Sequence, residues 1–294
     1  MNHLFLSGTR RDELVSMVYR FGDLLDELGA GCVVVTPDGT APDWCRASAA
    51  TVSEAWALPR IAAEDTVIFT SPDQYPTVGR LPGRLLFYCM DPTANVAPVL
   101  ADCRVTTLTP SPRTAAVVRE RFGGEPIDVG LSIADVFFHA GDRKQSGMVA
   151  VLADSAEPST GRLADTLRNL RVVRIEDLPE ADAAAALRAS EFFLFLSQAR
   201  RSPLAVIEAL AAGCVVLSVP TEHVAACLVD GVNGVLAAEA LLGARLLDLC
   251  APAARVRRSA LYDRGRATAS AFRRARHGRH VAALLEGPLA FLRS

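Results

Sequence analysis

The chain has 294 residues, of which 50% are hydrophobic and 22% are charged, a composition typical of globular proteins and a length that suits two domains. This composition and length exclude a disordered protein, a fibrous protein and a small protein held together by disulfides. Because 31 Lys and Arg stand against 33 Asp and Glu, the net charge of −2 excludes binding of nucleic acid or anionic lipid over the whole surface. Any such binding must be local.

In the first half, short β-type runs alternate with helical stretches, the pattern of parallel sheets covered by crossover helices. Apolar residues at helical spacing predict a helix over 12–28, which Gly29 ends. A serine cap and a proline in the first turn predict another helix over 113–122. Strands are predicted at 3–6, 32–36, 66–70, 84–88 and 105–108. Residues 1–141 are therefore predicted to form one doubly wound α/β domain.

The polar, glycine-flanked stretch 141–147 is predicted to be a linker. The alternation then restarts, with helices predicted at 161–169, 181–189 and 203–212. Strands are predicted at 148–152, 171–175, 192–196 and 214–218. A second doubly wound domain is therefore expected from residue 142 to about residue 270.

Two features predict a reducing, cytosolic environment. The seven cysteines are widely spaced, form no C-x-x-C, and in several cases lie in apolar runs, where a thiol acts as a small hydrophobe. The N-terminal apolar run is too short for a signal peptide, and no window approaches the ~18 apolar residues of a membrane span. We expect a cytoplasmic protein, either fully soluble or peripheral at the inner membrane face.

The clearest chemical signal lies between Ser197 and Leu236. An apolar strand ends at Leu196, a short polar loop follows, and a helix begins near Ser202 and Pro203. The free N–H groups of a helix start, with about half a positive charge from the helix dipole, suit a phosphate or diphosphate. In an open α/β sheet, ligands bind beyond the carboxyl ends of the strands, where this loop lies.

Several motifs follow one another in a fixed order. Glu208 opens an E-A-x-A-x-G run, and residues 230–234 form a D-G-x-N-G turn. Residues 87–91 read F-Y-C-M-D, and 109–111 and 129–137 lead towards the linker. This set resembles retaining GT-B glycosyltransferases, in particular glycosyltransferase family 4, over most of the chain. The family has an E-x7-E pattern here, whereas Arg200 stands in place of its first glutamate.

The resemblance implies an α/β fold of two Rossmann-like, doubly wound domains with a C-terminal helix that crosses back. It implies an acceptor-binding domain at 1–141, a nucleotide-sugar-binding domain at 142–270, and a returning helix at 271–294. The implied reaction transfers a hexose or pentose from a UDP- or GDP-activated donor, with retention, to a hydroxyl of a glycolipid, polysaccharide or modified nucleic acid. The alternative is a degenerate GT-B subunit that binds a nucleotide or a partner without turnover.

By this resemblance, Glu208 holds the ribose hydroxyls, although a surface or capping glutamate is the alternative interpretation. Arg200, as a catalytic residue, and Arg201 would neutralise the leaving diphosphate by charge-assisted contacts. Two solvated loop arginines are the alternative there. The predicted phosphate site is completed by Ser202 and by the backbone N–H groups of Leu204 and Ala205.

In the first half, Asp91 is predicted to be catalytic, either contacting the acceptor or assisting its deprotonation. As an aspartate before Pro92, it is equally explained as a turn former. Gly8, Thr9 and Arg10 occupy the first strand-to-helix loop and are predicted to bind the donor, whereas Arg10 can equally be a solvated residue at a helix start.

The sequence predicts no metal site and no cofactor besides the donor substrate. The five histidines form no ligand set with a nearby carboxylate, and no D-x-D occurs. The fingerprints of P-loop enzymes, dinucleotide oxidoreductases and serine hydrolases are also absent from the sequence.

The segment 255–279 is strongly basic. One interpretation is a helix pair whose long arginine stems cover apolar surface. A second is a patch for an anionic membrane surface, and a third is a contact with the nucleic-acid backbone. The nine arginines of this segment are Arg255, Arg257, Arg258, Arg264, Arg266, Arg273, Arg274, Arg276 and Arg279.

The oligomeric state of the protein stays open.

Overall fold

The structure is a computed structural model that describes residues 1–5, 8, 12–46, 48–92, 95–138, 141, 143–153, 162–196 and 203–293. The chain divides into two compact units, which are Met1–Ser132 with Arg274–Ser294, and Ile133–Arg273. The sequence placed the division at 141 and 270. Ile133 belongs with the second unit because its N–H donates to the carbonyl of Phe272 (3.1 Å).

Unit 1 is built on a seven-stranded parallel sheet in the order β3-β2-β1-β4-β5-β6-β7. The direction of strand order reverses between β1 and β4, which is the topological switch point of the sheet. The strands are β1 Asn2–Phe5, β2 Cys32–Thr36, β3 Ala50–Ser53, β4 Thr66–Phe69, β5 Arg84–Tyr88, β6 Val105–Thr109 and β7 Ile127–Asp128.

Two helices of unit 1 begin at the side-chain caps Asp12 and Ser111, and the serine cap was predicted from the sequence. Asp12 accepts from the N–H of Leu14 (2.7 Å), and Ser111 accepts from the N–H of Thr114 (3.1 Å). The helices are α1 Glu13–Glu27, α2 Glu54–Ala57, α3 Tyr75–Val78, α4 Ala97–Leu100, α5 Pro112–Phe122 and the C-terminal α11 Arg274–Leu285.

Both faces of this sheet are covered, because neighbouring strand residues enter different cores. Val67 and Phe69 join one buried cluster, whereas Ile68 between them joins the other. The second cluster also contains residues of α1 and the buried Val281 and Leu285 of α11. The C-terminal helix is therefore part of the core of unit 1, although the whole of unit 2 separates it in sequence.

Two buried polar side chains fix backbone segments in unit 1. Asp23 of α1 accepts from the N–H groups of Ser48 (3.0 Å) and Ala49 (2.6 Å), which holds the approach to β3 against the helix. His277 of α11 lies 2.9 Å from the carbonyl of Val129 through Nε2 and 3.0 Å from Ser132 Oγ through Nδ1. Nε2 therefore donates to the carbonyl, and Nδ1 accepts from the hydroxyl.

Unit 2 has a five-stranded parallel sheet in the order β12-β11-β10-β8-β9. Its switch point lies between β8 and β10. The strands are β8 Gln145–Leu152, β9 Arg171–Arg174, β10 Ser190–Phe195, β11 Val215–Ser218 and β12 Val235–Leu236, and the helices are α6 Arg162–Arg168, α7 Glu180–Ala189, α8 Leu204–Ala211, α9 Glu239–Cys250 and α10 Arg255–Ser270.

The predicted linker at 141–147 is wrong at its C-terminal end, because β8 begins at Gln145. Gly147 adopts φ +70° where the pairing of β8 with β10 changes register, and its N–H donates to Glu191 Oε2 (3.0 Å). A bulge needs glycine for the same reason that a flexible linker favours it. The sequence pattern could not distinguish the two.

Lys144 bonds to the C-terminal ends of two helices of unit 2, α7 and α8. Lys144 Nζ donates to the carbonyl of Leu187 (3.0 Å) near the end of α7 and to that of Ala212 (2.7 Å) at the end of α8. An ammonium group suits this place, because the last carbonyls of a helix have no partners within it and carry partial negative charge.

Helix α8 ends in a Schellman motif at Gly213, the glycine of the E-A-x-A-x-G run. Gly213 has φ +77° and donates to the carbonyl of Leu210 (3.1 Å), and the N–H of Cys214 reaches the carbonyl of Ala209 (2.9 Å). A Cβ at Gly213 would stand 2.5 Å from Tyr262 of α10. This glycine of the motif thus shapes the end of the helix.

All seven cysteines are free thiols, and four of them are buried, namely Cys32, Cys89, Cys214 and Cys227. Burial raises the pKa of Cys214 to about 11, so its thiol is uncharged near neutral pH. Within the described part of the chain, no helix is both long enough and apolar enough to cross a bilayer.

Candidate functional site

The predicted donor loop lies at the switch point of unit 2. It follows the carboxyl end of β10, beside the carboxyl end of β8, at the point where the direction of strand order reverses. In open α/β sheets, the connections diverge at such a point and leave a crevice in which ligands bind. Arg200, Arg201 and Ser202 belong to this loop but lie outside the described residues.

Helix α8 begins immediately after that loop. Its first internal hydrogen bond runs from the N–H of Ile207 to the carbonyl of Pro203 (3.0 Å), so the N–H groups of Leu204 and Ala205 precede the first bond of the helix. Both side chains are buried. What these two residues offer a ligand is therefore their backbone N–H groups, at the positive end of the helix dipole.

Glu208 is the exception in an apolar helix. The other seven residues of α8 are buried, and Glu208 alone is partly exposed. It stands one turn, about 6 Å, below Leu204, and helical side chains tilt towards the N-terminus. The two predicted parts of the donor site, Glu208 and the N–H groups of Leu204 and Ala205, therefore lie about one turn apart on the same helix.

Sequence reasoning missed Glu176 at the same edge of the sheet. It follows β9, and its Oε1 accepts from the N–H of Ala153 (2.9 Å), where β8 ends, and from Arg174 (2.9 Å). This bond joins the loops that follow β8 and β9. Its position, two residues beyond a strand in a doubly wound domain, was the signal that could have found it.

The side chains of the D-G-x-N-G turn make hydrogen bonds that support the fold. Asp230 Oδ1 accepts from the N–H of Leu236 (2.9 Å), and Asn233 Oδ1 accepts from the N–H of Val229 (2.7 Å). The amide of Asn233, which is 5% exposed, donates to Thr268 Oγ1 (3.0 Å) on α10. The turn thus fastens α10 to the loop before β12.

Two of the predicted residues of unit 1, Gly8 and Asp91, lie at the carboxyl edge of its sheet. Gly8 follows β1 at the switch point, and Asp91 follows β5, two strands away. Asp91 is partly buried. Burial, with the nearby Asp91 carboxylate, raises the pKa of Cys89 to about 12. Thr9 and Arg10 lie outside the described residues.

The described residues contain no group of three or more His, Cys, Asp or Glu side chains that could hold a metal ion. The two C-terminal histidines, His277 and His280, instead contact backbone carbonyls of Val129 and Asp128. Their spacing in the sequence reflects one face of α11 packed on unit 1.

Known structures share the arrangement of two parallel sheets, each with a topological switch point. The chain superposes on sucrose-phosphate synthase from Thermosynechococcus elongatus with a TM-score of 0.67 and 12% identity, covering 98% of this chain and 99% of the other. The structure of Anabaena Alr3699/HepE in complex with UDP-glucose superposes with a TM-score of 0.69 and 12% sequence identity, and the match covers 97% of this chain and 99% of HepE. WaaG, a glycosyltransferase involved in lipopolysaccharide biosynthesis, superposes with a TM-score of 0.64 and 13% sequence identity, and the match covers 98% of this chain and 100% of WaaG.

The chain has the GT-B fold. Within it, residues 142–251 match the model of the family described as Glycosyl transferases group 1. This segment contains the switch point of unit 2, α8 and Glu208. No curated protein matches the chain, so the GT-B assignment rests on the structures and on this segment.

Proposed function

We propose that the protein transfers a sugar from a nucleoside-diphosphate-sugar donor to an acceptor hydroxyl with retention at the anomeric carbon. The observation that carries the proposal is the half-buried Glu208 in the otherwise buried α8, one turn below a helix start at a switch point. The match of residues 142–251 to the group 1 glycosyltransferases supports it. HepE, which shares the fold, is described in complex with UDP-glucose.

The chemistry of the donor site follows from the helix. The N–H groups of Leu204 and Ala205 and the positive end of the dipole stabilise the diphosphate, and most strongly as it leaves with additional negative charge. The carboxylate of Glu208 accepts hydrogen bonds from two vicinal ribose hydroxyls. The spacing of one helical turn separates these two contacts by about 6 Å.

Arg200 and Arg201 complete the proposed site as cations for the leaving diphosphate, with Ser202 at the helix cap. A retaining reaction on one face of the sugar needs stabilisation of the leaving group more than it needs a protein base. In unit 1, Asp91 is proposed to contact the acceptor, and Gly8, Thr9 and Arg10 are proposed to approach the donor.

The donor is proposed to be a UDP- or GDP-linked hexose or pentose, with no further cofactor. The acceptor hydroxyl belongs to a glycolipid, a polysaccharide or a modified nucleic acid. A second candidate is a nucleotide-binding subunit without turnover. One observation favours it, which is Arg200 at the position of the first glutamate of the resembled E-x7-E pattern.

Calorimetry with UDP, GDP and ADP on the wild type and on Glu208→Ala tests the donor site. We expect one diphosphate to bind and the variant to weaken it roughly 100-fold, because a hydrogen bond to a charged group contributes about 1.5–3 kcal/mol. Glu239→Ala, a partly exposed glutamate at the start of α9 in the same unit, is the matched control and should bind normally. Equal binding by both variants would remove Glu208 from the site.

Turnover separates the two candidate functions. With the matching nucleotide-sugar, release of free sugar or transfer to an acceptor identifies an enzyme, and NMR of the product's anomeric proton reports retention or inversion. Binding without any release of sugar from the whole donor panel would favour the subunit without turnover. Absence of binding by every nucleotide would refute both.

A further inference from the structure

We propose that unit 2 docks onto an anionic lipid bilayer through the corner between α9 and α10. The corner carries exposed apolar and basic residues side by side. We define this docking corner as Leu247, Pro252, Ala253, Arg255, Val256 and Arg257, all of which are exposed.

The apolar part of the docking corner consists of four exposed residues at the junction of α9 and α10. Val256, in the first turn of α10, is 81% exposed, and Leu247, in the last turn of α9, is 51% exposed. Pro252 and Ala253 lie between them in a short turn. Exposed apolar side chains scattered singly need no explanation, but a tip of four at a helix junction is suited to enter the boundary between headgroups and acyl chains.

Charge complementarity argues for an anionic surface as the occupant. Residues 245–258 contain four arginines and one acid, Asp248. Among the described residues, neither Arg255 nor Arg257 pairs with a carboxylate. Arginines beside an apolar tip can hold lipid phosphates while the tip is buried, whereas a nucleic-acid backbone would leave the exposed Val256 unexplained.

Arg258, the residue that follows the docking corner, fixes the shape of the corner. Arg258 donates to the carbonyls of Leu249 (2.5 Å) and Ala251 (3.0 Å) and pairs with Glu191 of β10 at 3.2 Å. Binding therefore requires little ordering of the backbone, which removes one cost of association.

Other arginines of the basic segment are occupied within the protein. Arg266 stacks on Tyr262 (5.5 Å to the ring centroid), Arg273 on Phe138 (3.8 Å), and Arg274 pairs with Glu27 (2.7 Å). These contacts agree with the interpretation that arginine stems cover apolar surface. They leave the docking corner as the part of the segment where exposed arginines flank exposed apolar side chains.

The docking corner and the candidate donor site lie at opposite ends of the sheet of unit 2. Arg258 reaches Glu191 at the start of β10, whereas the donor loop follows the other end of that strand. Membrane docking is therefore independent of the proposed transferase function. Variants at the corner should leave nucleotide binding unchanged.

Co-sedimentation of the purified full chain with vesicles tests the proposal. We expect binding to phosphatidylcholine vesicles that contain about 30 mol% phosphatidylglycerol, weak binding to phosphatidylcholine alone, and release as salt rises towards about 0.5 M. Arg255→Gln/Arg257→Gln should weaken binding about 30-fold, since each arginine near the surface contributes roughly a factor of five. Val256→Ser should weaken it roughly tenfold.

The matched control is Arg276→Gln/Arg279→Gln, which makes the same change at two exposed arginines of the same basic segment, on α11 of unit 1. It should bind vesicles like the wild type, and every variant should keep the wild-type Tm. Equal binding to neutral and anionic vesicles, or equal losses in the corner and control variants, would overturn the proposal. Binding to a short DNA duplex without binding to anionic vesicles would also overturn it and would identify nucleic acid as the partner.

Discussion

The buried His277 should make the stability of unit 1 fall in mild acid. The side chain is 6% exposed. Burial lowers its pKa to about 4, and the nearby His280 and Arg274 act in the same direction. In the unfolded chain the imidazole titrates near its ordinary value of 6.5. Between these values the unfolded state binds a proton that the folded state does not, so stability is lost as pH falls from about 6.5 to about 4.

The size of this effect follows from the two pKa values. A difference of about 2.5 units corresponds to roughly 3 kcal/mol over the full window, of which most is lost by about pH 4.5. In His277→Gln this titration is absent. The variant also loses part of the bonding to Val129 and Ser132, so at pH 7 it should be less stable than the wild type by about 1–3 kcal/mol. The difference should shrink towards zero near pH 4.5.

Urea unfolding followed by tryptophan fluorescence measures this directly, because both tryptophans, Trp44 and Trp56, lie in unit 1 with His277. His280→Gln, which changes an exposed histidine of the same helix, is the matched control and should keep most of the wild-type pH dependence, because burial and not the His280 charge is the largest cause of the lowered pKa of His277. If the wild type and His277→Gln lost the same free energy between pH 7 and 4.5, the burial of a neutral imidazole would not be the cause.

Three further changes test the packing of the two units. Asp23→Ala should lower the free energy of unfolding by about 2–4 kcal/mol, because two N–H groups near β3 lose their acceptor; the urea midpoint measures it. Lys144→Met should cost roughly 1–3 kcal/mol by leaving the end carbonyls of α7 and α8 without their ammonium donor, seen as a lower Tm by circular dichroism. Gly213→Ala should cost more than Gly29→Ala by roughly 1–3 kcal/mol, because both glycines have φ +77° just after a helix but only at Gly213 would the new Cβ meet Tyr262; equal costs would contradict the clash.

Much of the fold could be predicted from local sequence signals. The periodic apolar positions of α1, the caps Asp12 and Ser111, and the buried runs of β2 and β5 each specify an element through its own residues. Strands β3, β7 and β12 were missed, because β3 is partly exposed along its length and β7 and β12 have two residues each, so none of them carries a clear apolar pattern.

The candidate site could be predicted in part. Glu208 and the N–H groups of Leu204 and Ala205 are three sequence neighbours on one helix, so their proximity followed from helical geometry alone. Helical geometry did not reveal Glu176, because its contact with Ala153 joins the ends of two different strands, 23 residues apart in the sequence. The D-G-x-N-G turn shows the reverse case, in which a recognisable motif proves to fasten a helix.

The sequence by itself determined the fold class, the alternation of strands and helices, and the helix start at which a diphosphate is proposed to bind, because these depend on residues within a few turns of one another. Only the tertiary structure decided that β8 begins inside the expected linker, that the switch point of unit 2 falls between β8 and β10, and that α11 belongs to the core of unit 1. Strand order and helix docking are set by contacts between residues distant in the chain, and local patterns do not encode which distant partner completes the burial.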